Sequence, residues 1–92
     1  MKYKIRMTAR FKRDYKLAKK QHKDTEALFT VVGKLANGET LDEKYHDHPL
    51  LGGKYKGTRE CHIEPDWLLV YQLIDDILVL SLNRLGSHSD LF

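Results

Sequence analysis

The stretch that decides the fold of this chain is WLLVYQLIDDILVLSLNRL, residues 67–85. Its first part, from Trp67 to Ile74, is almost entirely apolar, which is typical of a central strand buried on both faces of a sheet. The pair Asp75-Asp76 makes a tight connection, and a second apolar run extends from Ile77 to Leu85. The stretch therefore predicts two neighbouring strands at the centre of a sheet.

Two shorter segments alternate between apolar and polar residues, the pattern of a half-buried strand. One is Thr58 to Ile63, which the turn Glu64 to Asp66 joins to the central run. The other is Tyr3 to Met7, near the start of the chain. Both segments are predicted to be strands.

Two helices are predicted between the first strand and the others. Thr8 and Asp24 are suitable N-caps, and Asn37-Gly38 is a suitable end for the second helix. Only one or two residues separate the two patterns, so the helices are expected to form an antiparallel hairpin. Their apolar stripes are Phe11, Tyr15, Ala18 and His22 in the first helix, and Leu28, Val31, Val32 and Leu35 in the second.

The segment from Gly38 to Gly57 has no sustained periodicity. Loops of about 20 residues are uncommon in compact domains and are usually functional or disordered. The centre of this one, Tyr45 to Leu51, is rich in rings and leucine, so we expect it to pack. The element order β-α-α-loop-β-β-β predicts an α+β fold with a helical hairpin on one face of a mainly antiparallel sheet.

Size and composition indicate a single domain over residues 1–92. Hydrophobic residues make up 41% and charged residues 32% of the chain, as in soluble globular domains. No apolar run approaches the ~20 residues of a membrane helix, and no apolar stretch of a signal peptide follows the basic N-terminus. The lone Cys61 cannot form an internal disulfide, which favours a reducing cytoplasm.

The net charge of +3 hides an uneven distribution along the chain. Residues 1–36 hold eleven Lys or Arg against three Asp or Glu, whereas residues 37–92 hold five against ten. The basic half favours a polyanion or an acidic protein as partner, although a solvated lysine-rich helix would have the same composition. The basic face of the first helix comprises Arg10, Arg13, Lys16, Lys20 and Lys23.

Several titratable residues are expected at one end of the sheet. His62 ends one strand, Asp66 precedes the next, and His88 follows the last, while the loop with His48 is long enough to fold over this end. Imidazoles titrate near neutrality, so one can remove a proton while another donates one. This set suits metal-free cleavage of RNA, in which a 2′-OH loses a proton and the leaving 5′-oxygen gains one.

Other side chains near this end are candidates for substrate binding. Arg59 and Arg84 can offset phosphate charge, and Trp67 or Phe92 can stack on a base. For Trp67, a place in the core is an equally good interpretation. A metal site formed by His46, His48 and His62 is a weaker alternative, because no established metal-ligand spacing is present. The serine residues lack a nucleophile-elbow motif, and the glycine residues match no phosphate-binding fingerprint.

Three stretches, matched in order, resemble the YafQ branch of the RelE/ParE toxin superfamily. They are residues 47–52 (DHPLLG), 59–71 (RECHIEPDWLLVY) and 84–92 (RLGSHSDLF), and the N-terminal TARFKRD, residues 8–14, is also similar. The resemblance implies a RelE-like fold, in which two helices pack on a small, mainly antiparallel twisted sheet. Matched by motif, the residues that the resemblance implies to be catalytic are His48, His62, Asp66 and His88. Trp67 and Phe92 match positions linked to substrate contact.

The resemblance also implies a function and partners. It implies the toxin of a type II toxin–antitoxin system, a cytoplasmic endoribonuclease that cuts translated mRNA in the ribosomal A site without a metal or other cofactor. A cognate antitoxin and the 70S ribosome with its mRNA would be the partners, with no membrane involved. Some ParE-type relatives lack nuclease activity and act on DNA gyrase, so a non-catalytic binding module is the alternative.

Overall fold

The structure, a computed structural model, describes all 92 residues and contains one five-stranded sheet. The strands lie in the order β1-β5-β4-β3-β2; β1 is parallel to β5 and all other neighbours are antiparallel. The predicted mainly antiparallel α+β fold is therefore confirmed. The strands are β1 (Lys4–Met7), β2 (His48–Pro49), β3 (Arg59–Glu64), β4 (Trp67–Ile74) and β5 (Val79–Gly86).

Strand β4 is central and buried on both faces, as the apolar run predicts. On one face, Trp67, Leu69 and Tyr71 belong to the main hydrophobic core, which the helices cover. On the other face, Leu68 and Val70 form a smaller cluster. A strand with this pattern cannot remain at the surface, so both faces of the sheet need a cover.

The helices α1 (Ala9–Lys20) and α2 (Thr25–Ala36) begin at the predicted caps. The hydroxyl of Thr8 accepts a hydrogen bond from the Phe11 N–H at 3.0 Å, and the Asp24 carboxylate accepts one from the Ala27 N–H at 3.1 Å. The rings of Tyr15 and Phe29 connect the helices at 5.8 Å. No helix in the structure combines the length and apolar character needed to cross a membrane.

The expected one- or two-residue connection between the helices was too short, and the place of His22 in the apolar stripe was wrong. Residues 21–24 connect the helices, because α1 ends at Lys20. His22 follows that end, adopts a left-handed conformation with φ 58° and is exposed. The left-handed residue turns the chain, so its side chain points away from the core.

The segment 38–57 packs on the sheet, as its composition predicts. It contains β2 and two 3₁₀ turns, Glu43–Tyr45 and Gly53–Tyr55. Leu41 enters the main core, and Leu50 and Tyr55 lie against the smaller cluster on the second face of β4. Elements of two or three residues are too short to produce a period in the sequence.

The C-terminal tail forms a short helix, α3 (His88–Leu91), which the sequence analysis did not predict. Ser87 and Asp90 form a reciprocal capping box at its start. Leu91 is fully buried in the smaller cluster with Leu68 and Val70.

Strand β5 begins at Val79 and not at the predicted Ile77, because residues 75–77 form a 3₁₀ turn.

A bidentate ion pair ties β5 to α1. Nε of Arg84 lies 2.8 Å from Oδ2 of Asp14, and its Nη2 lies 3.2 Å from Oδ1. The Leu85 N–H also donates to Asp14, and the Tyr55 hydroxyl accepts from Nη1 of Arg84 at 2.9 Å. The hydrogen bond with Asp14 raises the pKa of Arg84. Since Arg84 is only 8% exposed, its charge is already neutralised within the fold, contrary to its expected role on a phosphate.

The Asp14–Arg84 pair predicts a large stability effect. Replacing Asp14 by alanine leaves a buried guanidinium without its partner, so the free energy of unfolding should fall by about 3 kcal/mol. Chemical denaturation followed by circular dichroism measures it. Lys16→Ala on the exposed face of the same helix is the matched control and should change stability by no more than about 0.5 kcal/mol. Equal effects of the two substitutions would contradict a structural role for the pair.

Candidate active site

Three imidazoles form a row at one end of the sheet. The ring centre of His62, on β3, lies 5.5 Å from that of His88, at the start of α3, and 5.4 Å from that of His46, after the first 3₁₀ turn. The predicted meeting of His62 and His88 is thus present in the structure. His46 joins them, although the sequence analysis assigned it no role beyond the metal alternative.

Asp66 holds the imidazole of His88. Asp66 lies in the turn between β3 and β4. Its Oδ1 is 2.7 Å from Nδ1 of His88, and the same oxygen accepts a hydrogen bond from the His88 main-chain N–H at 3.0 Å. The pKa of Asp66 is lowered, chiefly by the main-chain hydrogen bond and next by the ring contact. With Nδ1 engaged, Nε2 of His88 remains free to face a substrate.

A buried carboxylate, Glu60, contacts His62 and a fourth histidine, His48. Its Oε1 lies 3.3 Å from Nε2 of His48 and 3.4 Å from Nε2 of His62. Glu60 is only 5% exposed, so it needs these polar partners. Glu60 was not among the predicted site residues, although its spacing of two residues from His62 places both on the same face of β3. Pairing of β2 with β3 brings His48 opposite Glu60.

The same three side chains could hold a metal ion. One ligand atom from each of His48, Glu60 and His62 lies within 4.8 Å of the others. Two imidazole nitrogens and a carboxylate oxygen suit zinc or copper. The expected alternative of His46, His48 and His62 is replaced by a set in which Glu60 takes the place of His46.

Arg59 points away from this group and anchors the segment that carries His46 and His48. Its Nη2 lies 3.0 Å from Oδ2 of Asp47, and its Nε lies 3.3 Å from the hydroxyl of Tyr71, which also donates to Asp47 at 2.6 Å. The Asp47 hydrogen bond raises the pKa of Arg59. Arg59 therefore ties the segment that carries the two histidines to the sheet, and its expected role on a phosphate stays a prediction.

The aromatic candidates for substrate binding lie in different environments. Trp67 is 2% exposed and belongs to the main core, so of its two predicted roles the structural one fits this position and base stacking does not. Phe92 is 57% exposed and meets the ring of Tyr55 edge-on at 5.4 Å, which leaves a face open for stacking. Cys61 is fully buried, and burial raises the pKa of its thiol, so it is an unreactive core residue.

The arrangement therefore contains two carboxylate–imidazole pairs side by side. Asp66–His88 is exposed at the rim, with side chains 67% and 54% exposed, whereas Glu60–His62 is sheltered, at 7% and 20%. Two imidazoles of this kind can divide the work of a general base and a general acid. A helical hairpin on a mainly antiparallel sheet fits the RelE-like class of small α+β proteins that the resemblance of the motif stretches implies.

Comparison with known proteins identifies the family within this class. Residues 3–92 match the model of YafQ, bacterial toxins of type II toxin–antitoxin systems, and the chain belongs to that family. The chain is similar to the mRNA interferase toxin YafQ of Escherichia coli (strain K12), with 42% identity over 89 residues, 96% of this chain and 94% of that one.

Solved structures agree with this assignment over nearly the whole chain. A metal-bound toxin from Helicobacter pylori has a TM-score of 0.91 at 47% identity, covering 98% of this chain and 99% of that one. The E. coli DinJ–YafQ toxin–antitoxin complex has a TM-score of 0.87 at 40% identity, covering 100% and 99%. The resemblance in the three motif stretches is confirmed at the level of fold and family.

The Asp66–His88 contact predicts a measurable pKa change. His88→Ala should raise the pKa of Asp66 toward its ordinary value without reaching it, because the main-chain hydrogen bond is kept. Titration of the Asp66 carboxyl carbon by NMR tests this. The lowered pKa means that the fold favours the charged form of Asp66. The contact therefore stabilises the fold fully at pH values above the ordinary carboxyl pKa of about 3.9. This stabilisation is lost as the pH falls through the lowered pKa. An unchanged pKa would contradict the ring contact.

Proposed function

We propose that this chain is a ribosome-dependent endoribonuclease, which cuts translated mRNA in the A site and thereby inhibits growth. Membership of the YafQ toxin family and the name of the E. coli relative, an mRNA interferase, support the reaction class. The observation that carries the proposal is the pair of carboxylate-held imidazoles, His62 and His88, with ring centres 5.5 Å apart.

The proposed reaction needs two proton transfers and no change of oxidation state. The 2′-oxygen loses its proton and attacks the adjacent phosphorus, the bond from phosphorus to the 5′-oxygen breaks, and that oxygen takes up a proton. The products are a 2′,3′-cyclic phosphate and a 5′-hydroxyl. A base on one side of the phosphate and an acid on the other therefore suffice.

We assign the acid to His88 and the base to His62. Asp66 engages Nδ1 of His88 and orients its ring, so Nε2 can give a proton to the leaving oxygen at the exposed rim. Oε1 of Glu60 lies 3.4 Å from Nε2 of His62, so we assign Nδ1 as the atom that takes the 2′-OH proton. His48, on the other side of Glu60, is 49% exposed and can place positive charge near the phosphorane when protonated.

The remaining partners follow from charge and family. The exposed residues Arg10, Arg13, Lys16 and Lys20 of α1 can dock on ribosomal RNA through counterion release. The same face can receive an acidic segment of a cognate antitoxin, and the DinJ–YafQ complex supports such a partner. Phe92 can stack on a base of the mRNA. An activity on translating ribosomes would act in the cytoplasm.

The assignment of acid and base predicts a selective chemical rescue. His62→Ala and His88→Ala should each slow single-turnover cleavage of ribosome-bound mRNA by about 10²–10⁴-fold. With sulfur in place of the leaving 5′-oxygen, no proton is needed at that atom. His88→Ala should then recover to within about tenfold of the parent, whereas His62→Ala should stay slow.

His22→Ala, an exposed histidine outside the site, is the matched control and should keep the parent rate. Circular dichroism verifies that each variant is folded. Rescue of His62→Ala instead of His88→Ala would reverse the two roles, and full activity of both variants on the unmodified mRNA would contradict acid–base catalysis at this site.

The metal-bound toxin from H. pylori and the cluster of ligand atoms here support a second property of the same residues. A Cu²⁺ or Zn²⁺ ion on His48, Glu60 and His62 would occupy the carboxylate and imidazole that the proposed base needs. Such an ion would therefore inhibit cleavage instead of promoting it.

This metal hypothesis predicts that toxin treated with EDTA cuts mRNA in Mg²⁺ buffer at its full rate and that added Cu²⁺ inhibits it. By calorimetry, His48→Ala should weaken Cu²⁺ binding by at least about tenfold, because a ligand is lost. His88→Ala lies outside the three ligands and should bind Cu²⁺ as the parent does. A requirement for added Cu²⁺ or Zn²⁺ in cleavage would contradict the metal-free mechanism.

A further inference from the structure

A cavity of about 730 Å³ lies beside the row of imidazoles, between the first 3₁₀ turn and the free edge of β3. Its lining includes Lys44, Tyr45 and His46 of the turn and its end, His62, Ile63 and Glu64 of β3, and Ala27 of α2. The volume is within the range of sites that bind small molecules, about 300–1,000 Å³. His62 belongs both to this cavity and to the proposed catalytic pair, so any occupant lies next to the reacting group.

The edge of β3 beside the cavity extends past the end of β2. Strand β2 pairs with β3 only at Arg59 and Glu60. The Thr58 carbonyl accepts a hydrogen bond from the Leu50 N–H at 2.8 Å, so it points to this outer edge. Main-chain groups at every second residue share a direction, and those of His62 therefore point outward too, past the end of β2.

His46 has an unusual backbone at the mouth of this cavity. Its φ of 48° is in the left-handed region, which residues other than glycine rarely adopt. The exposed ring meets His62 edge-on, and the Asp47–Arg59 contact holds the neighbouring residue to the sheet. This backbone ends the first 3₁₀ turn, of which His46 is the C-cap, and places His46 in the lining of the cavity beside His62.

The lining fits a flat ring that carries hydrogen-bond donors and acceptors. Ile63 and the Tyr45 ring, which pack on the main core, provide an apolar floor and wall. Nζ of Lys44 lies 5.2 Å from the centre of the Tyr45 ring, and Glu64 offers a carboxylate across the cavity. Aromatic faces with a few polar groups at the rim are the environment in which proteins hold unstacked RNA bases.

We propose that this cavity binds one nucleobase of the mRNA next to the scissile phosphate, with His46 as the residue that positions and selects it. The inference rests on the proposed endoribonuclease activity and adds a base-binding subsite to it. Binding of that base beside His62 would bring the adjacent 2′-OH toward the proposed general base, so His46 acts on substrate binding and not on proton transfer.

The first test compares matched histidine variants on ribosome-bound mRNA. His46→Ala should raise KM about tenfold with little change in kcat, in keeping with the loss of a base-stacking contact. It should also flatten the preference for the nucleotide next to the cut. His46→Phe keeps a ring and should restore KM. His22→Ala is the control, because His22 is also exposed and has a similar φ of 58°, so it reproduces the effect on the backbone.

The second test does not depend on cleavage. Adenosine, guanosine, cytidine and uridine are titrated separately into the ¹⁵N-labelled parent protein, with inorganic phosphate as the comparison. Shifts of amide signals confined to residues 44–46 and 62–64 for at least one nucleoside, and lost in His46→Ala, support the subsite. The same shifts with phosphate alone, or no shift at these residues with any of the four nucleosides, would overturn the subsite.

The two experiments separate the subsite from the proposed function. If the parent cuts mRNA while His46→Ala keeps its KM and nucleotide preference, the subsite is wrong and the endoribonuclease stands. If the parent fails to cut mRNA on ribosomes, the proposed function is wrong, and the nucleoside titration alone decides whether the cavity binds bases.

Discussion

Burial of strand β4 on both faces is the constraint on which the rest of this structure depends. The helices cover one face, and the second face, with Leu68 and Val70, is covered by Leu91, Leu50 and Tyr55. Burying a leucine side chain is worth about 1.5–3 kcal/mol, so these covering residues hold their segments firmly. His88 begins the helix that contains Leu91, and His48 lies two residues before Leu50. Covering the second face therefore also delivers two histidines to the site.

Two carboxylates, the buried Glu60 and the exposed Asp66, then contact the histidines of the site. Glu60 contacts His48 and His62, and Asp66 contacts His88. A buried carboxylate without polar partners is costly, so the fold and the site stabilise each other at Glu60. No buried side-chain nitrogen or oxygen lacks a hydrogen-bond partner in this structure. Such a preorganised set suits a small toxin, since the ribosome can supply the positioning of mRNA that a deep cleft would otherwise provide.

Sequence patterns predicted four of the five strands, both helix N-caps and the meeting of His62, Asp66 and His88, but not the two-residue strand β2. They did not predict α3, whose four residues are held by the burial of Leu91, a contact distant in sequence. The partners of the two arginines could not be predicted from local patterns either. Asp14 is 70 residues from Arg84 in the sequence, and Asp47 is 12 residues from Arg59. Glu60 was missed although the alternation in β3 placed it beside His62.

The uneven charge along the chain corresponds to two parts of the structure. The basic residues are exposed on α1, and the imidazoles of the site belong to the acidic half of the chain, residues 37–92, and lie at one end of the sheet.

The most direct test of the account is to map the 5′ ends of cellular mRNA after brief expression of the parent and of His88→Ala. The account predicts new ends in one phase of the reading frame with the parent and none with His88→Ala. Intact mRNA accompanied by signs of DNA damage would contradict it and indicate a non-catalytic module that acts on a target such as DNA gyrase.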